Sequence, residues 1–98
     1  MSAQNDIEVT VARLGATLAA AGLTVATAES CTAGGVAQAL TAIAGSSAWF
    51  DRGFVTYSNA SKTEMLEVPS QLIDQQGAVS EAVVRAMTQG ALTASAAD

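Results

Sequence analysis

The sequence predicts an α/β domain, in which helices and strands alternate along one short chain. Two segments, 23–28 and 53–58, have the alternation and the β-branched or aromatic residues of strands. Helical periodicity before, between and after them gives the order of elements that favours a layered α/β fold. With 98 residues, 50% of them hydrophobic, the chain is long enough for one small domain and too apolar to be disordered.

Signals for the start or end of a helix accompany the predicted helical segments. The first helix begins after an N-cap pair, Asn5 with Glu8, and ends at a glycine. In the last helix Ser80 is the N-cap, and Val79 is expected to pack against an inward-facing Val84. The predicted elements are a helix over 6–21, a strand over 23–28, a helix over 36–44, a short turn over 48–50, a strand over 53–58, helices over 60–66 and 70–75, and a final helix that follows residue 80.

The composition excludes several classes of protein and site. The chain has no histidine, so it offers neither a histidine base nor a histidine metal ligand, and its scattered carboxylates predict no metal site. Its single cysteine, Cys31, cannot form an internal disulfide, which fits a reducing cytoplasm. A net charge of −5 argues against nucleic-acid binding, and no apolar run is long enough to cross a membrane. Because the chain is so apolar and has so few charges, we expect part of its surface to be buried, either against a partner or against a further part of the same domain.

The segment 29–35 (Glu-Ser-Cys-Thr-Ala-Gly-Gly) joins the first strand to the second helix. Small residues at the carboxyl end of a strand leave backbone N–H groups free to hold an anion, and the hydroxyl groups of Ser30 and Thr32 could add donors. An ordinary capped helix with closely packed glycines explains the same pattern. Cys31 is predicted to be a buried structural thiol rather than a nucleophile, because no histidine is available to activate it.

Lys62, the only lysine of the chain, falls in the first turn of a predicted helix that has Asn59 or Ser61 as its N-cap. A cation there opposes the helix dipole by at most about 1 kcal/mol, and with any burial this field favours the neutral amine that a general base needs. Ser46 and Ser47 lie between a helix end and a new turn, where N–H groups could stabilise an oxyanion. Without histidine, a Ser–Lys pair is the obvious remaining way to activate a hydroxyl group. Helix capping and a solvated lysine explain the same residues without catalysis.

Four blocks of the sequence resemble the CinA C-terminal domain family. They are residues 28–35 (Ala-Glu-Ser-Cys-Thr-Ala-Gly-Gly), 43–50 (Ile-Ala-Gly-Ser-Ser-Ala-Trp-Phe), 52–59 (Arg-Gly-Phe-Val-Thr-Tyr-Ser-Asn) with Lys62, and 77–81 (Gly-Ala-Val-Ser-Glu). The resemblance implies a three-layer α/β/α sandwich. Because members of the family continue past the last helix into a further strand and a Gly-rich loop, residues 1–98 are expected to form a single partial domain, truncated after its first two strands and their helices.

The resemblance also implies an activity, since stand-alone bacterial members of the family are nicotinamide-nucleotide amidohydrolases. A metal-independent serine amidohydrolase, for which no cofactor is expected, would convert nicotinamide mononucleotide to nicotinate mononucleotide and ammonia. The family's Ser–Tyr–Lys set falls on Ser47, Tyr57 and Lys62, with Ser46 as the alternative nucleophile. In this assignment Ser47 attacks the amide, Lys62 takes its proton, and Tyr57 relays or orients it. The implied contacts to the mononucleotide are Ser30, Thr32, Gly34, Ser46 and Asn59.

Two other functions remain compatible with the sequence. The chain could be a non-catalytic homologue that self-associates through its apolar faces, or a module that binds a nucleotide at segment 29–35 without hydrolysing it. The expected partners are a small mononucleotide and either a second copy of the chain or the missing part of the domain. Neither nucleic acid nor a membrane is expected as a partner, and the expected location is the cytoplasm.

Overall fold

The structure, a computed structural model, describes residues 2–98 and contains a two-stranded parallel sheet with helices on both of its faces. Helices and strands alternate as the sequence predicts, so the α/β class is confirmed. The elements are α1 (Ala3–Ala21), β1 (Val25–Glu29), α2 (Gly35–Thr41), a 3-10 turn (Ser46–Ala48), β2 (Phe50–Val55), α3 (Asn59–Leu66), α4 (Ser70–Gln76) and α5 (Glu81–Thr93).

The sheet separates two hydrophobic clusters, which makes the fold a three-layer α/β/α arrangement. Side chains alternate across a strand, so β1 and β2 each contribute residues to both faces. On one face, α1 and α2 pack around Val11, Leu40 and Trp49. On the other, α3, α4 and α5 enclose a larger cluster made of Leu66, Val68, Ile73, Val83, Met87 and Ala91.

Both strands lie a few residues from their predicted positions. Strand β1 starts at Val25 because Leu23 still belongs to the end of α1, where its N–H donates to the Leu18 carbonyl at 2.9 Å. Strand β2 ends at Val55 rather than at Ser58, because Ser58 is the N-cap of α3 and its Oγ accepts from the Ser61 N–H at 3.0 Å. A residue whose side chain caps a helix marks the start of that helix, so the strand prediction extended too far.

Helix α5 has the predicted cap but not the predicted inner face. The Ser80 hydroxyl accepts from the Val83 N–H at 3.3 Å, as expected of an N-cap. Val79 is 98% exposed and Val84 56% exposed, so the predicted packing of these two side chains is wrong. The buried stripe instead begins at Val83, which lies four residues before Met87 and therefore on the same side of the helix.

Strand β1 is paired on one edge only. Within residues 2–98, no strand lies along its other edge. At the start of that edge, the Asp98 N–H donates to the Thr24 carbonyl and the Thr24 N–H donates to Asp98 Oδ2, both at 3.0 Å. The remaining length of the edge is open, and α5 packs beside it.

Candidate active site

The carboxyl ends of the two strands meet at one edge of the sheet, and the chain leaves each of them through a polar segment. Glu29, the last residue of β1, lies opposite Val55, the last residue of β2. Beyond that pair, the Thr56 N–H donates to the Glu29 carbonyl at 2.8 Å. Ser30 and Tyr57 follow directly, so the two segments leave the sheet side by side. In α/β folds this is the edge where ligands usually bind.

Lys62 points its amine into this edge from α3. Its side chain is 1% exposed, and Nζ donates to the Tyr57 carbonyl at 3.2 Å. Across residues 2–98, no carboxylate forms an ion pair with it. Because Ser58, not Asn59 or Ser61, is the N-cap, Lys62 lies at the end of the first turn of α3, one residue after Ser61.

Tyr57 contributes its main chain to this arrangement and leaves its side chain in solvent. The side chain is 71% exposed, whereas its carbonyl holds the amine of Lys62. Asn59, the first residue of α3, lies at the same edge and is exposed. The phenol is therefore not packed into the core and is available to a bound molecule.

At the start of α2, the N–H groups of Val36 and Ala37 are not free to hold an external anion. The carboxylate of Glu29 occupies that place. Its Oε1 accepts from Thr32 Oγ1 at 2.7 Å and from the Val36 N–H at 2.8 Å, and its Oε2 accepts from the Ala37 N–H at 3.0 Å. The N-terminus of α2 is thus already satisfied by a carboxylate of the same chain.

These contacts explain the protonation behaviour of Glu29. Burial acts to raise the pKa of its carboxyl group, but the hydrogen bonds from Thr32, Ala37 and Val36 oppose this and bring the pKa below its ordinary value. Glu29 is therefore ionised at neutral pH. In the sequence, Glu29 is the first residue of segment 29–35, and its bonds to the start of α2 were not predicted.

Cys31 and Gly34 belong to the same segment, in which Cys31 is exposed and Gly34 is half-buried. Cys31 is exposed, so the prediction of a buried thiol is wrong. The reason is the path of the backbone, which turns outward through left-handed conformations at Ala33 (φ 49°) and Gly34 (φ 96°) before α2 begins. Gly34 meets the conformational need at its position, whereas Ala33 adopts a conformation that non-glycine residues rarely adopt.

The structure does not bring Ser46 and Ser47 together with Tyr57 and Lys62. Both serines belong to the 3-10 turn before β2, next to Trp49, whose carbonyl accepts from the N–H of Val25 at the start of β1. The six residues of β2 separate the two ends of the strand by about 16 Å. Ser47 is exposed there, and the Ser46 hydroxyl lies 3.5 Å from the Thr41 carbonyl. Of the serines at the lysine's edge of the sheet, Ser58 and Ser61 are hydrogen-bonded to each other in the N-cap of α3, whereas Ser30 directly follows β1.

A cavity of about 340 Å³ opens beside Ser30, along the unpaired edge of β1. Ser30, Cys31 and Thr32 form its polar end, and Val84 and Met87 of α5 form part of its apolar wall. The volume lies within the range of small-molecule sites, about 300–1,000 Å³. Two features important for this edge, the Glu29 carboxylate and the fully buried Thr56, were not predicted as site residues from the sequence.

Two further properties concern the whole of the described chain. No helix within residues 2–98 has both the length and the apolar character needed to cross a bilayer. Over the same residues, no three acidic, cysteine or histidine side chains come together in a group that could hold a metal ion.

Comparison with known proteins identifies a family and named relatives. The sequence profile of the CinA C-terminal domain matches residues 7–98. The chain is 60% identical over 85 residues to the nicotinamide-nucleotide amidohydrolase PncC of Enterobacter agglomerans, which covers 87% of this chain and 52% of that protein. It is 55% identical over 93 residues to PncC of Pseudomonas putida, covering 95% of this chain and 58% of that protein. The chain thus spans little more than half the length of these curated relatives.

Solved structures share the fold described above. The competence/damage inducible protein CihA of Agrobacterium tumefaciens superimposes with a TM-score of 0.92 at 50% identity, covering 94% of this chain and 56% of that chain. A CinA superfamily protein of Escherichia coli gives a TM-score of 0.93 at 36% identity, covering 100% of this chain and 57% of that chain. The arrangement of helices and strands is therefore that of these two solved structures, over the part of their length that this chain matches.

Proposed function

This chain belongs to the CinA C-terminal domain family, and from that membership and the geometry of the sheet edge we propose that it acts in the hydrolysis of the carboxamide of nicotinamide mononucleotide. The products are nicotinate mononucleotide and ammonia. The names of its relatives supply the substrate class. The single observation that supports catalysis in this chain is the buried amine of Lys62, held at the edge of the sheet where Ser30 emerges.

We assign the nucleophile to Ser30 and not to Ser47. Ser30 follows β1 at the carboxyl edge, beside the segment whose Tyr57 carbonyl binds Lys62, whereas Ser47 lies at the far end of β2. A general base has to come within hydrogen-bond reach of the proton that it removes, so the location of Ser30 at the lysine's edge of the sheet supports Ser30 over Ser47.

The proposed reaction proceeds through an ester. As Ser30 Oγ attacks the carboxamide carbon, its proton passes to Nζ of Lys62. The C–N bond then breaks, and the nitrogen leaves as ammonia with the proton that the lysine returns. Water hydrolyses the ester to nicotinate mononucleotide and restores Ser30. The exposed Tyr57 phenol orients the proton transfer, and Asn59 and the cavity beside Ser30 supply contacts to the substrate.

The chain's accessible surface supports a further proposal, that residues 1–98 form part of a larger folded or associated unit. The accessible area is 6068 Å², whereas a monomeric protein of this mass exposes roughly 5,200 Å². The difference, about 900 Å², is close to what one partner contributes to a standard protein interface. Either further chain or a second copy covers this surface, and self-association without catalysis is the alternative function.

The function is tested by measuring ammonia release from nicotinamide mononucleotide by the purified chain. We expect release by the wild type, and a loss of kcat of at least about a hundredfold in Lys62→Met, because a general base contributes about that much. Methionine keeps the length and removes the amine, so the variant should remain folded by circular dichroism.

Arg13→Met, which removes an exposed cation from α1, is the matched control and should keep wild-type kcat. Full activity in a folded Lys62→Met variant would contradict the role of the lysine. Binding of the mononucleotide in a calorimeter without any release of ammonia would instead favour a non-catalytic module.

A further inference from the structure

We propose that Glu29 is a positioning residue, whose carboxylate fixes the segment that carries Ser30 in the geometry needed for attack. The proposal rests on the proposed function, in which Ser30 is the nucleophile. It assigns Glu29 no contact with the substrate. Glu29 acts through the backbone on the position of the adjacent Ser30.

The buried carboxylate of Glu29 binds both the segment 30–35 and the start of the helix that follows it. It is 5% exposed, and its two oxygens accept three hydrogen bonds, from the hydroxyl of Thr32 and from the N–H groups of Val36 and Ala37. Thr32 lies within the segment, and the two N–H groups belong to the helix that follows it. Three bonds from separate points to one carboxylate leave the backbone between them little freedom to move.

The main chain of Glu29 fixes the other side of Ser30. Its carbonyl accepts from the Thr56 N–H at 2.8 Å and from Thr56 Oγ1 at 3.3 Å. Thr56 precedes Tyr57, whose carbonyl in turn binds Nζ of Lys62 at 3.2 Å. A continuous series of contacts therefore runs from the segment of the nucleophile to the base, and Glu29 is its first member.

The segment also contains backbone that requires support. Ala33 has φ 49°, in the left-handed region that L-residues other than glycine disfavour. Its N–H donates to the Ser30 carbonyl at 3.0 Å, and the Gly35 N–H donates to the Thr32 carbonyl at 2.9 Å. The first of these hydrogen bonds is made by the carbonyl of Ser30 itself. Loss of the Glu29 carboxylate would therefore change the position of Ser30. With its oxygens occupied by three donors, Glu29 is suited to hold structure rather than to exchange protons with a substrate.

The test compares three variants of the full chain in the ammonia assay, with separate determination of kcat and KM. Glu29→Gln keeps the shape but turns an amide NH₂ toward donors, and should lower kcat at least tenfold with KM within about threefold. Glu29→Asp keeps the charge and should restore part of kcat. Glu8→Gln, an exposed glutamate of α1, is the matched control and should leave both constants unchanged.

A second readout does not depend on catalysis. Amide hydrogen exchange at Val36 and Ala37, measured by NMR, should be slow in the wild type and faster in Glu29→Gln, while the thermal midpoint stays well above the assay temperature. If Glu29→Gln does not fold, Thr32→Val removes one of the three bonds and should give a smaller loss of kcat in the same direction.

The results separate the two proposals. A wild-type chain that releases no ammonia contradicts the proposed function, and the exchange rates then decide by themselves whether the carboxylate holds the segment. A folded Glu29→Gln variant with wild-type kcat overturns the positioning role. So does a rise in KM with kcat unchanged, since that result would place Glu29 in substrate binding.

Discussion

Glu29 shows how a carboxylate within the chain can satisfy a helix N-terminus that would otherwise attract an external anion. Its oxygens bind the N–H groups of Val36 and Ala37 at the start of α2. Burial acts to raise the pKa of its carboxyl group, but these bonds and that from Thr32 lower it overall. A phosphate group of a nucleotide would therefore need donors elsewhere along the sheet edge.

The lowered pKa of Glu29 predicts an acid-dependent loss of stability. The carboxyl group is more acidic in the folded than in the unfolded chain, where its pKa has the ordinary value of about 4.5. Its stabilising contribution is thus complete above that value and disappears as the pH falls through the folded pKa. In urea titrations we expect Glu29→Gln to be less stable than the wild type at pH 7, and the difference to narrow below about pH 4.

Glu8→Gln provides the comparison for this pH series, because Glu8 is exposed and its side chain bonds only to Gln4. It should follow the wild type at every pH. If the difference in free energy of unfolding between the wild type and Glu29→Gln stays constant down to pH 2, the charge of the Glu29 carboxylate does not stabilise the fold.

At the scale of elements, the order of helices and strands could be predicted from the sequence, but the ends of the strands could not. Residues 53–58 include Thr, Tyr and Ser in a pattern typical of a strand. In the fold, however, pairing stops at Val55 opposite Glu29, and Ser58 turns to cap α3. The partner strand and the following helix decide where β2 ends, and neither is visible in local composition.

The candidate site was predictable to a similar extent. Because the chain lacks histidine, Lys62 was predicted to be the base. The structure buries that lysine at the sheet edge. The family resemblance assigns the nucleophile to Ser47, which the structure places before β2, whereas Tyr57 follows the end of that strand. A strand between two residues places them at opposite ends of the sheet, so their separation in sequence does not measure their distance in space.

Close packing of α5 against α3 gives a test at the scale of elements. A Cβ at Gly90 would overlap the carbonyl oxygen of Leu66, and because that atom belongs to the backbone it cannot move aside without shifting a helix. We expect Gly90→Ala to lower the free energy of unfolding by about 1–3 kcal/mol, the usual cost of overpacking.

Gly35→Ala is the control for this substitution, because nothing lies within 4 Å of a Cβ at that position in α2. It should leave stability unchanged or raise it slightly, since alanine favours a helix more than glycine does. Equal stability of Gly90→Ala and the wild type in urea unfolding would show that α3 and α5 are not packed as described.

The molecule as a whole is broad and thin, with dimensions of 39 × 31 × 17 Å. Its radius of gyration is 14.5 Å, whereas a compact domain of this length has about 13 Å. The expansion accompanies an unpaired edge of β1 and an apolar flank that contains the exposed Val79 and Val84. Only some of the hydrophobic residues of the sequence are thus buried in the two internal clusters, and others remain exposed on this flank.

A second copy covering this flank would make the mass of the chain depend on concentration. In sedimentation equilibrium we expect the wild type to associate at micromolar concentration, and Val84→Lys to weaken the association at least tenfold, because burying an unpaired ammonium is costly. Val9→Lys, at a similarly exposed valine of α1, should associate like the wild type. Equal effects of the two substitutions would show that the chain does not associate through the apolar flank that contains Val79 and Val84.

The role proposed for Ser30 is tested by comparing alanine variants of Ser30 and Ser47 in the same ammonia assay. The nucleophile that we propose, Ser30, lies where the strands end beside the segment that binds Lys62, so Ser30→Ala should lower kcat/KM at least about a thousandfold. Ser47→Ala, at the opposite end of β2, should stay within about threefold of the wild type. The reverse result, with activity lost in Ser47→Ala and kept in Ser30→Ala, would show that Ser30 is not the nucleophile.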